Sequence, residues 1–211
     1  MKIIVASNNQ HKIIEIREIM EELGYEVSSL RDEAINLEPE ENGETFLENA
    51  FIKAKTIYDY VMEREGLSAN SGAEKKEQKI FVLADDSGLS VDYLKGAPGI
   101  YSARYAGEQG DDAANNKKLL KELSGIAQED RGAKFVCAIV LIGEDLDIRV
   151  QGESAGFIIE EAKGNQGFGY DPLFFSTDLQ KTFAQASAVE KNQVSHRGRA
   201  LEKLRQELTN R

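Results

Sequence analysis

The chain has 211 residues, of which 41% are hydrophobic and 30% are charged, a composition that fits a globular protein with a sizeable core and excludes a disordered chain. Its 37 acidic residues against 26 Lys and Arg give a net charge of -11. Such a charge disfavours nucleic acids and anionic membranes as partners, whereas a small anionic substrate remains compatible if a metal ion or a local basic cluster binds it.

The first half of the chain is predicted to alternate strands with helices. Residues 3–6 form a short, branched apolar run that predicts a buried strand, and a helix follows. The buried face of that helix is predicted from apolar residues at helical spacing: Ile13, Ile16, Met20 and Leu23. A second helix is predicted from Thr45, which has the spacing of a capping box with Glu48. Residues 64–79 are predicted to be an exposed loop insertion within a single domain spanning 1–211.

The second half of the chain is predicted to supply most of a sheet. Residues 80–84 indicate a buried strand that breaks at a tight turn over residues 85–88 and then resumes. Further strands are predicted at 133–142 and 148–159, the last one divided at Gly152. Strands alternating with helices around a hairpin-like middle indicate an α/β fold, in which helices flank a central mixed sheet.

The sequence also bears on location and on redox chemistry. The apolar start at residues 1–7 is too short for a signal peptide, and no apolar run reaches the length of a membrane span. A cytoplasmic protein is therefore expected. Cys137, the single cysteine, lies in an apolar run and is predicted to be a buried core residue rather than a reactive thiol.

A polar loop joins the first strand to the first helix and consists of Ser7, Asn8, Asn9, Gln10, His11 and Lys12. Such a loop directs backbone amides and the positive end of the helix dipole at one point, which suits a phosphate, and Lys12 adds a full charge. The glycines of a Walker motif are missing. An ordinary capped connection is therefore the alternative interpretation.

Two adjacent carboxylates, Asp85 and Asp86, follow the buried strand at 80–84. Carboxylates in that position are costly unless they are paired, hydrogen-bonded or bound to metal, and their oxygens suit magnesium. Because neighbouring side chains of a strand point to opposite faces, one of the two is expected to face the site. A plain Asp-Ser-Gly turn is the alternative. Candidates to complete a metal site come from an acidic loop: Glu38, Glu40, Glu41 and Glu44.

Two later segments combine groups that suit a nucleotide. In Phe168–Pro172, aromatic rings that could stack on a base lie beside glycine and a carboxylate, although a turn that packs its rings into the core would look the same. Ser195 is a good N-cap for the final helix, yet His196 and Arg197 place cationic groups in its first turn. That placement opposes the helix dipole and favours a bound anion.

Taken in order, several segments resemble the inosine triphosphate pyrophosphatase-like family of nucleoside triphosphate pyrophosphatases, which act on dITP and XTP. The matching segments are Ser7-Asn8-Asn9 with Lys12, Gly43-x-Thr45-Phe46-x-Glu48-Asn49-Ala50-x-x-Lys53-Ala54, Ala84–Leu89, Gly96–Tyr105, Gly167–Pro172, Glu190-Lys191-Asn192 and Ser195–Gly198. They span nearly the whole chain. The sequence departs from the family at Ser7-Asn8-Asn9, where Thr-Gly-Asn is more frequent, and in the length of the 64–79 segment.

The resemblance implies an elongated, two-lobed α/β fold with the active-site cleft between the lobes, a Mg2+ cofactor and a homodimer. It implies that Asp86 binds the metal and accepts a proton from the attacking water, and that Glu40, or its neighbour Glu41, is the second metal-linked acid. The residues implied to hold the triphosphate are Ser7, Asn8, Asn9, Gln10, His11, Lys12 and Lys53, with Ser87 close to the metal. The residues implied to surround the base are Phe168, Gly169, Tyr170, Asp171, Lys191, His196 and Arg197.

The predicted reaction is hydrolysis of dITP, ITP and XTP to the monophosphate and pyrophosphate. A phosphatase with an aspartyl nucleophile would instead release single phosphates through a covalent phospho-enzyme. A non-catalytic purine-nucleotide sensor would bind tightly without turnover.

Overall fold

The structure is a computed structural model that describes residues 2–66 and 79–210. Most of the predicted loop insertion, residues 67–78, lies outside the described residues. The strands are β1 (Lys2–Val5), β2 (Glu26–Ser29), β3 (Ile80–Val91), β4 (Gly132–Gly143), β5 (Leu146–Ile158), β6 (Phe174–Ser176) and β7 (Lys181–Thr182). The helices are α1 (Gln10–Glu22), α2 (Phe46–Arg64), α3 (Asp112–Glu122), α4 (Ala188–Val194) and α5 (His196–Thr209).

The seven strands form one mixed sheet in the order β2-β1-β3-β4-β5-β6-β7. Strand β1 pairs in parallel with β2 and β3, whereas β6 pairs antiparallel with β5 and β7. The predicted α/β fold with a mixed sheet is confirmed. Within residues 2–66 and 79–210, no helix combines the length and the apolar character needed to cross a membrane.

The chain divides into two compact units, each with its own core. Unit one contains the described parts of residues 1–86, 138–150 and 203–211, and unit two contains residues 87–137 and 151–202. The core of unit one includes Ile4, Ala50, Ala54, Ile57, Val82 and Val140. The core of unit two includes Leu89, Leu119, Phe135, Tyr170, Phe174 and Phe183.

The helix predictions in unit one hold with one exception. In α1, Ile13, Ile16 and Met20 are buried, but Leu23 is exposed because the helix ends at Glu22 and Leu23 is its C-cap. The capping box of α2 is confirmed, since the Thr45 hydroxyl accepts from the Glu48 amide and the Glu48 carboxylate accepts from the Thr45 amide, both at 3.1 Å. This box fixes where α2 begins. The prediction that Cys137 is buried is also confirmed.

The predicted turn after residue 84 is wrong, because β3 continues without a break from Ile80 to Val91. Within this strand the side chains of Asp85, Asp86 and Ser87 each have a polar partner, so the strand can continue through them. The presence of glycine at position 88 within the strand is explained by packing, because a Cβ there would lie 2.6 Å from the carbonyl oxygen of Gly99. Glycine therefore marks a close approach of backbone rather than a turn.

The predicted division of the strand at Gly152 is also wrong, since β5 is one strand from Leu146 to Ile158. A Cβ at Gly152 would lie 2.5 Å from the backbone nitrogen of Ala200 in α5. Glycine is thus required by the close packing of α5 on β5 within unit two, and it does not interrupt the strand.

Candidate active site

The loop between β1 and α1 is a capped helix start that also directs a lysine toward β3. The Asn9 side chain accepts hydrogen bonds from the backbone amides of His11 at 3.0 Å and Lys12 at 3.3 Å. Ser7 in turn accepts from the Asn9 amide at 3.2 Å. Gln10 and His11 are exposed on the first turn. Lys12 extends to the buried carboxylate of Asp85, with 3.2 Å between Nζ and Oδ2.

The adjacent Asp86 belongs to a second set of charges, supplied by α2 and the acidic loop. Lys53 Nζ lies 3.9 Å from Asp86 Oδ1 and 3.1 Å from Glu41 Oε1. Both Lys53 and Asp86 are buried. We call these five residues the carboxylate–lysine cluster: Lys12, Glu41, Lys53, Asp85 and Asp86. Its three carboxylates outnumber its two ammonium groups, so the cluster has capacity for further positive charge.

Asn49 positions Asp86, a role that sequence reasoning did not assign. Its side chain is fully buried; Nδ2 donates to Asp86 Oδ2 at 3.1 Å, and Oδ1 accepts from the Gly43 amide at 2.9 Å. One amide therefore links the catalytic candidate to the acidic loop. Asn49 and Lys53 are four residues apart on α2 and share a face. This four-residue spacing was the signal in the sequence that pointed to a role for Asn49. Two buried polar residues on one helical face require hydrogen-bond or charge partners.

The charges of Asp86 and Lys53 are coupled. Burial raises the pKa of Asp86 above its ordinary value, and the ammonium groups of Lys53 and Lys12 offset only part of that effect. Burial by itself would lower the pKa of Lys53, but the charges of Asp86, Asp85 and Glu41 outweigh it and raise the pKa overall. Lys53 therefore stays protonated, while Asp86 is a stronger proton acceptor than an exposed aspartate.

The carboxylates of the acidic loop lie in different surroundings from one another. Glu41 is the one in contact with Lys53, whereas Glu40 is exposed. Glu38 accepts a hydrogen bond from Asn8 Nδ2 at 3.1 Å and thereby ties this loop to the loop after β1. A pocket of about 560 Å3 lies there, lined by Asn8, Arg31, Ile35, Asn36 and Glu38. Its polar lining includes a guanidinium that the sequence did not single out.

In unit two, a buried ion pair joins two of the predicted base-binding residues. Lys191 Nζ lies 2.7 Å from Asp171 Oδ2, and both side chains are buried. Lys191 Nζ also lies 4.9 Å from the centroid of the Phe168 ring and 5.7 Å from that of Phe183. Asp171 additionally accepts from the Phe168 amide at 3.0 Å. The ammonium is thus held among two rings and a carboxylate.

Tyr170 takes a different position from its neighbours in the same turn. Its ring belongs to the core of unit two, and its hydroxyl donates to the carbonyl of Ser102 at 2.8 Å. Burial raises the pKa of the Tyr170 hydroxyl, which therefore stays protonated as a donor. For this residue the alternative interpretation, an aromatic ring packed into the core, describes the structure.

The two cationic residues at the start of α5 are both buried. Arg197 Nη2 donates to the Ser87 hydroxyl at 2.9 Å, and the His196 ring stacks on Phe135 with 4.7 Å between ring centroids. Ser195 is confirmed as the cap of α5, because its hydroxyl accepts from the Gly198 amide at 3.1 Å. Arg197 and Ser87, which are 110 positions apart in the sequence, are therefore brought together within unit two.

Comparisons with known proteins find relatives of this chain over nearly its whole length. A sequence profile described as the Ham1 family matches residues 3–207. The chain is 50% identical over 208 residues to a dITP/XTP pyrophosphatase of Clostridium perfringens, covering 98% of this chain and 97% of that protein. It is 48% identical over 204 residues to a dITP/XTP pyrophosphatase of Bacillus licheniformis, covering 96% and 95%. The solved Ham1 protein of Staphylococcus aureus is 40% identical with a TM-score of 0.80, covering 100% of this chain and 99% of that one.

Proposed function

Because the chain belongs to the Ham1 family, we propose that it hydrolyses the non-standard purine nucleoside triphosphates dITP, ITP and XTP to the monophosphate and pyrophosphate. The relatives described above are named dITP/XTP pyrophosphatases. The observation that carries the proposal is the carboxylate–lysine cluster, in which two adjacent buried aspartates each lie beside a lysine, Asp85 beside Lys12 and Asp86 beside Lys53. Phosphoryl transfer needs charge neutralisation, which the two lysines together with a metal ion held by the carboxylates would supply.

The donor set of the cluster fits Mg2+. Magnesium takes one or two protein carboxylates and completes its shell with water and substrate phosphate oxygens. Asp86 and Glu41 both lie within 4 Å of the Lys53 ammonium. We therefore assign these two residues as the metal ligands, whereas the family resemblance names Glu40 first and Glu41 as its alternative. When bound, the metal neutralises phosphate charge and lowers the pKa of water.

The remaining roles, proton acceptance and phosphate binding, are assigned to residues of the chain. Asp86 accepts the proton of the attacking water, because its buried carboxylate is held in one orientation by the hydrogen bond from Asn49. Lys53 binds phosphate oxygens together with the loop from Ser7 to Lys12. Ser87, adjacent to Asp86 in β3, contacts the substrate beside this group.

Unit two supplies the groups assigned to the purine base. Lys191 and Arg197 are donors without acceptor capacity, and His196 directly precedes Arg197 in the sequence. Hypoxanthine and xanthine carry an oxygen at position 6, which accepts a hydrogen bond, whereas adenine carries an amino group that donates one. A site of donors leaves groups unpaired against adenine and rejects it. The Phe168 ring forms the aromatic side of this group, and Gly169 and Asp171 lie in the same turn, whereas Tyr170 of that turn packs into the core.

The assignment of the second metal ligand has a direct test. We expect Glu41→Gln to raise the Mg2+ concentration for half-maximal activity by about tenfold, because it removes a charged oxygen from the metal's ligands. The exposed neighbour provides the matched control, and Glu40→Gln is expected to leave the Mg2+ requirement within about twofold of wild type. The reverse pattern would move the assignment to Glu40.

The reaction itself is tested by product analysis with Mg2+ and ITP, alongside ATP and GTP. We expect IMP and pyrophosphate in equal amounts from ITP, and at least about 100-fold lower kcat/KM for ATP, because a missing hydrogen-bond match in a buried site is costly. Release of single phosphates would support the aspartyl phosphatase instead. Tight binding of ITP without turnover would support the nucleotide sensor.

We further propose that the chain works as a homodimer in the cytoplasm. The resemblance of its motifs to the nucleoside triphosphate pyrophosphatases supports this proposal. Sedimentation equilibrium of the purified chain would give twice the monomer mass, and a monomer at micromolar concentration would contradict the proposed dimer.

A further inference from the structure

The turn that carries Phe168 contains two glycines with left-handed backbone angles. Gly167 has φ of 75° and Gly169 has φ of 60°. Glycine adopts these angles without steric cost, but it also leaves the chain more conformational freedom on either side of Phe168 than any other residue would. A defined position for the Phe168 ring therefore requires contacts that restrain the backbone of the turn.

Helix α3 provides such contacts on one side of the turn. Asp112 Oδ2 accepts from the Gly169 amide at 2.7 Å, and Asn116 Nδ2 donates to the Gly169 carbonyl at 2.9 Å. Both polar groups of one glycine are thereby fixed by side chains four residues apart on one helical face. We call this pair, Asp112 and Asn116, the Gly169 clamp. On the other side of Phe168, Asp171 accepts from the Phe168 amide at 3.0 Å.

The helix that supplies the clamp is itself anchored within unit two. Asp111 caps its start by accepting from the Ala114 amide at 2.9 Å. Asn115 accepts from the Ala106 amide at 2.7 Å and donates to the Ala103 carbonyl at 3.3 Å. Leu119 is fully buried in the core of unit two. Helix α3 can therefore restrain the turn rather than follow its motion.

We propose that Asp112 and Asn116 are positioning residues that set base recognition by holding the Phe168 ring against Lys191. This inference rests on the proposed function, in which Phe168 and Lys191 contact the purine. Both clamp residues lie in unit two, whereas the lysines proposed to bind phosphate, Lys12 and Lys53, lie in unit one. Loss of the clamp is therefore expected to weaken binding of the base while the binding of phosphate and the chemical step remain.

The test compares two inhibitors of ITP hydrolysis, one with a base and one without. We expect Asp112→Ala to raise the KM for ITP and the Ki for IMP about tenfold, because a charged hydrogen bond to the turn is lost. The kcat and the Ki for inorganic tripolyphosphate should stay within about twofold of wild type. Asn116→Ala should likewise raise the KM for ITP and the Ki for IMP while kcat and the Ki for tripolyphosphate stay near wild type. Asp112→Asn retains an acceptor oxygen, so its KM for ITP and its Ki for IMP should stay near wild type.

Lys121→Ala serves as the matched control, because Lys121 is an exposed residue in the last turn of the same helix. Its kinetic constants should stay near wild type. Equal changes in the two inhibition constants, or no change in the Ki for IMP in either clamp variant, would overturn the proposal.

The clamp can be judged separately from the proposed reaction by titrating IMP calorimetrically. Wild-type protein that binds IMP but does not hydrolyse ITP would contradict the proposed reaction, and weaker IMP binding by Asp112→Ala would still support the clamp. Equal IMP binding by both proteins, or none by wild type, would overturn the clamp.

Discussion

Replacement of Asp86 by Asn is expected to lower kcat for ITP by about 1000-fold or more. Asn has nearly the same shape and can still accept the hydrogen bond from Asn49, but it cannot accept a proton from water and is a poor ligand for Mg2+. Initial rates of pyrophosphate release at saturating Mg2+ measure this loss. Calorimetric titration with ITP should show that much of the nucleotide binding remains.

The same substitution is expected to stabilise the fold when divalent metal is removed. The pKa of Asp86 is raised above 3.8 by burial, so the folded state binds its proton more tightly than the unfolded state does. The ionised form therefore opposes folding at neutral pH, and that penalty disappears as pH falls through the folded-state pKa. Asp86→Asn should melt higher than wild type at pH 7 in EDTA, and the difference should shrink on acidification.

Asp92→Asn is the matched control for both measurements. Asp92 is an exposed carboxylate one residue beyond the end of β3. Neither the rate nor the melting temperature should change appreciably in this variant. If Asp86→Asn kept more than about a tenth of the wild-type kcat, Asp86 would not be the general base.

The sequence predicted those features that depend on local chemistry. The buried face of α1 follows from apolar residues at helical spacing, and the start of α2 follows from Thr45 and Glu48, because a capping box satisfies amides within a single turn. Because side chains alternate along a strand, one of the two neighbouring aspartates was expected to face the site. The two carboxylates do have different lysine partners, Lys12 for Asp85 and Lys53 for Asp86, but these partners were not predicted.

The features that the sequence did not predict depend on distant partners. Gly88 and Gly152 look like strand breaks, yet each is required by backbone from another part of the chain that packs against the strand. The selection of Glu41 over Glu40 as the partner of Lys53 depends on the path of a loop. Asp112 lies 57 positions from Gly169, and nothing in the local sequence of either residue indicates that they meet.

The second large effect is expected at Lys53, for which Lys53→Met is the informative change. Met keeps an unbranched side chain of similar length in α2 but removes the charge that lies between Asp86 and Glu41. We expect kcat/KM for ITP to fall by about 100- to 1000-fold, because a preorganised positive charge no longer stabilises the phosphate oxygens. Lys55→Met on the same helix is the control, since Lys55 is exposed and pairs with Asp59.

The free energy of unfolding distinguishes charge coupling between Lys53 and Asp86 from a simple loss of substrate contact by Lys53. Without Lys53, the buried Asp86 loses a nearby compensating charge, and the metal-free protein should lose on the order of 3 kcal/mol of unfolding free energy. Adding Asp86→Asn to Lys53→Met should restore most of that loss, because the uncompensated carboxylate is then removed as well. Additive effects in this double-mutant cycle would show that the two residues do not interact. Recovery of stability in the double variant would show that the loss in Lys53→Met comes from the uncompensated carboxylate of Asp86.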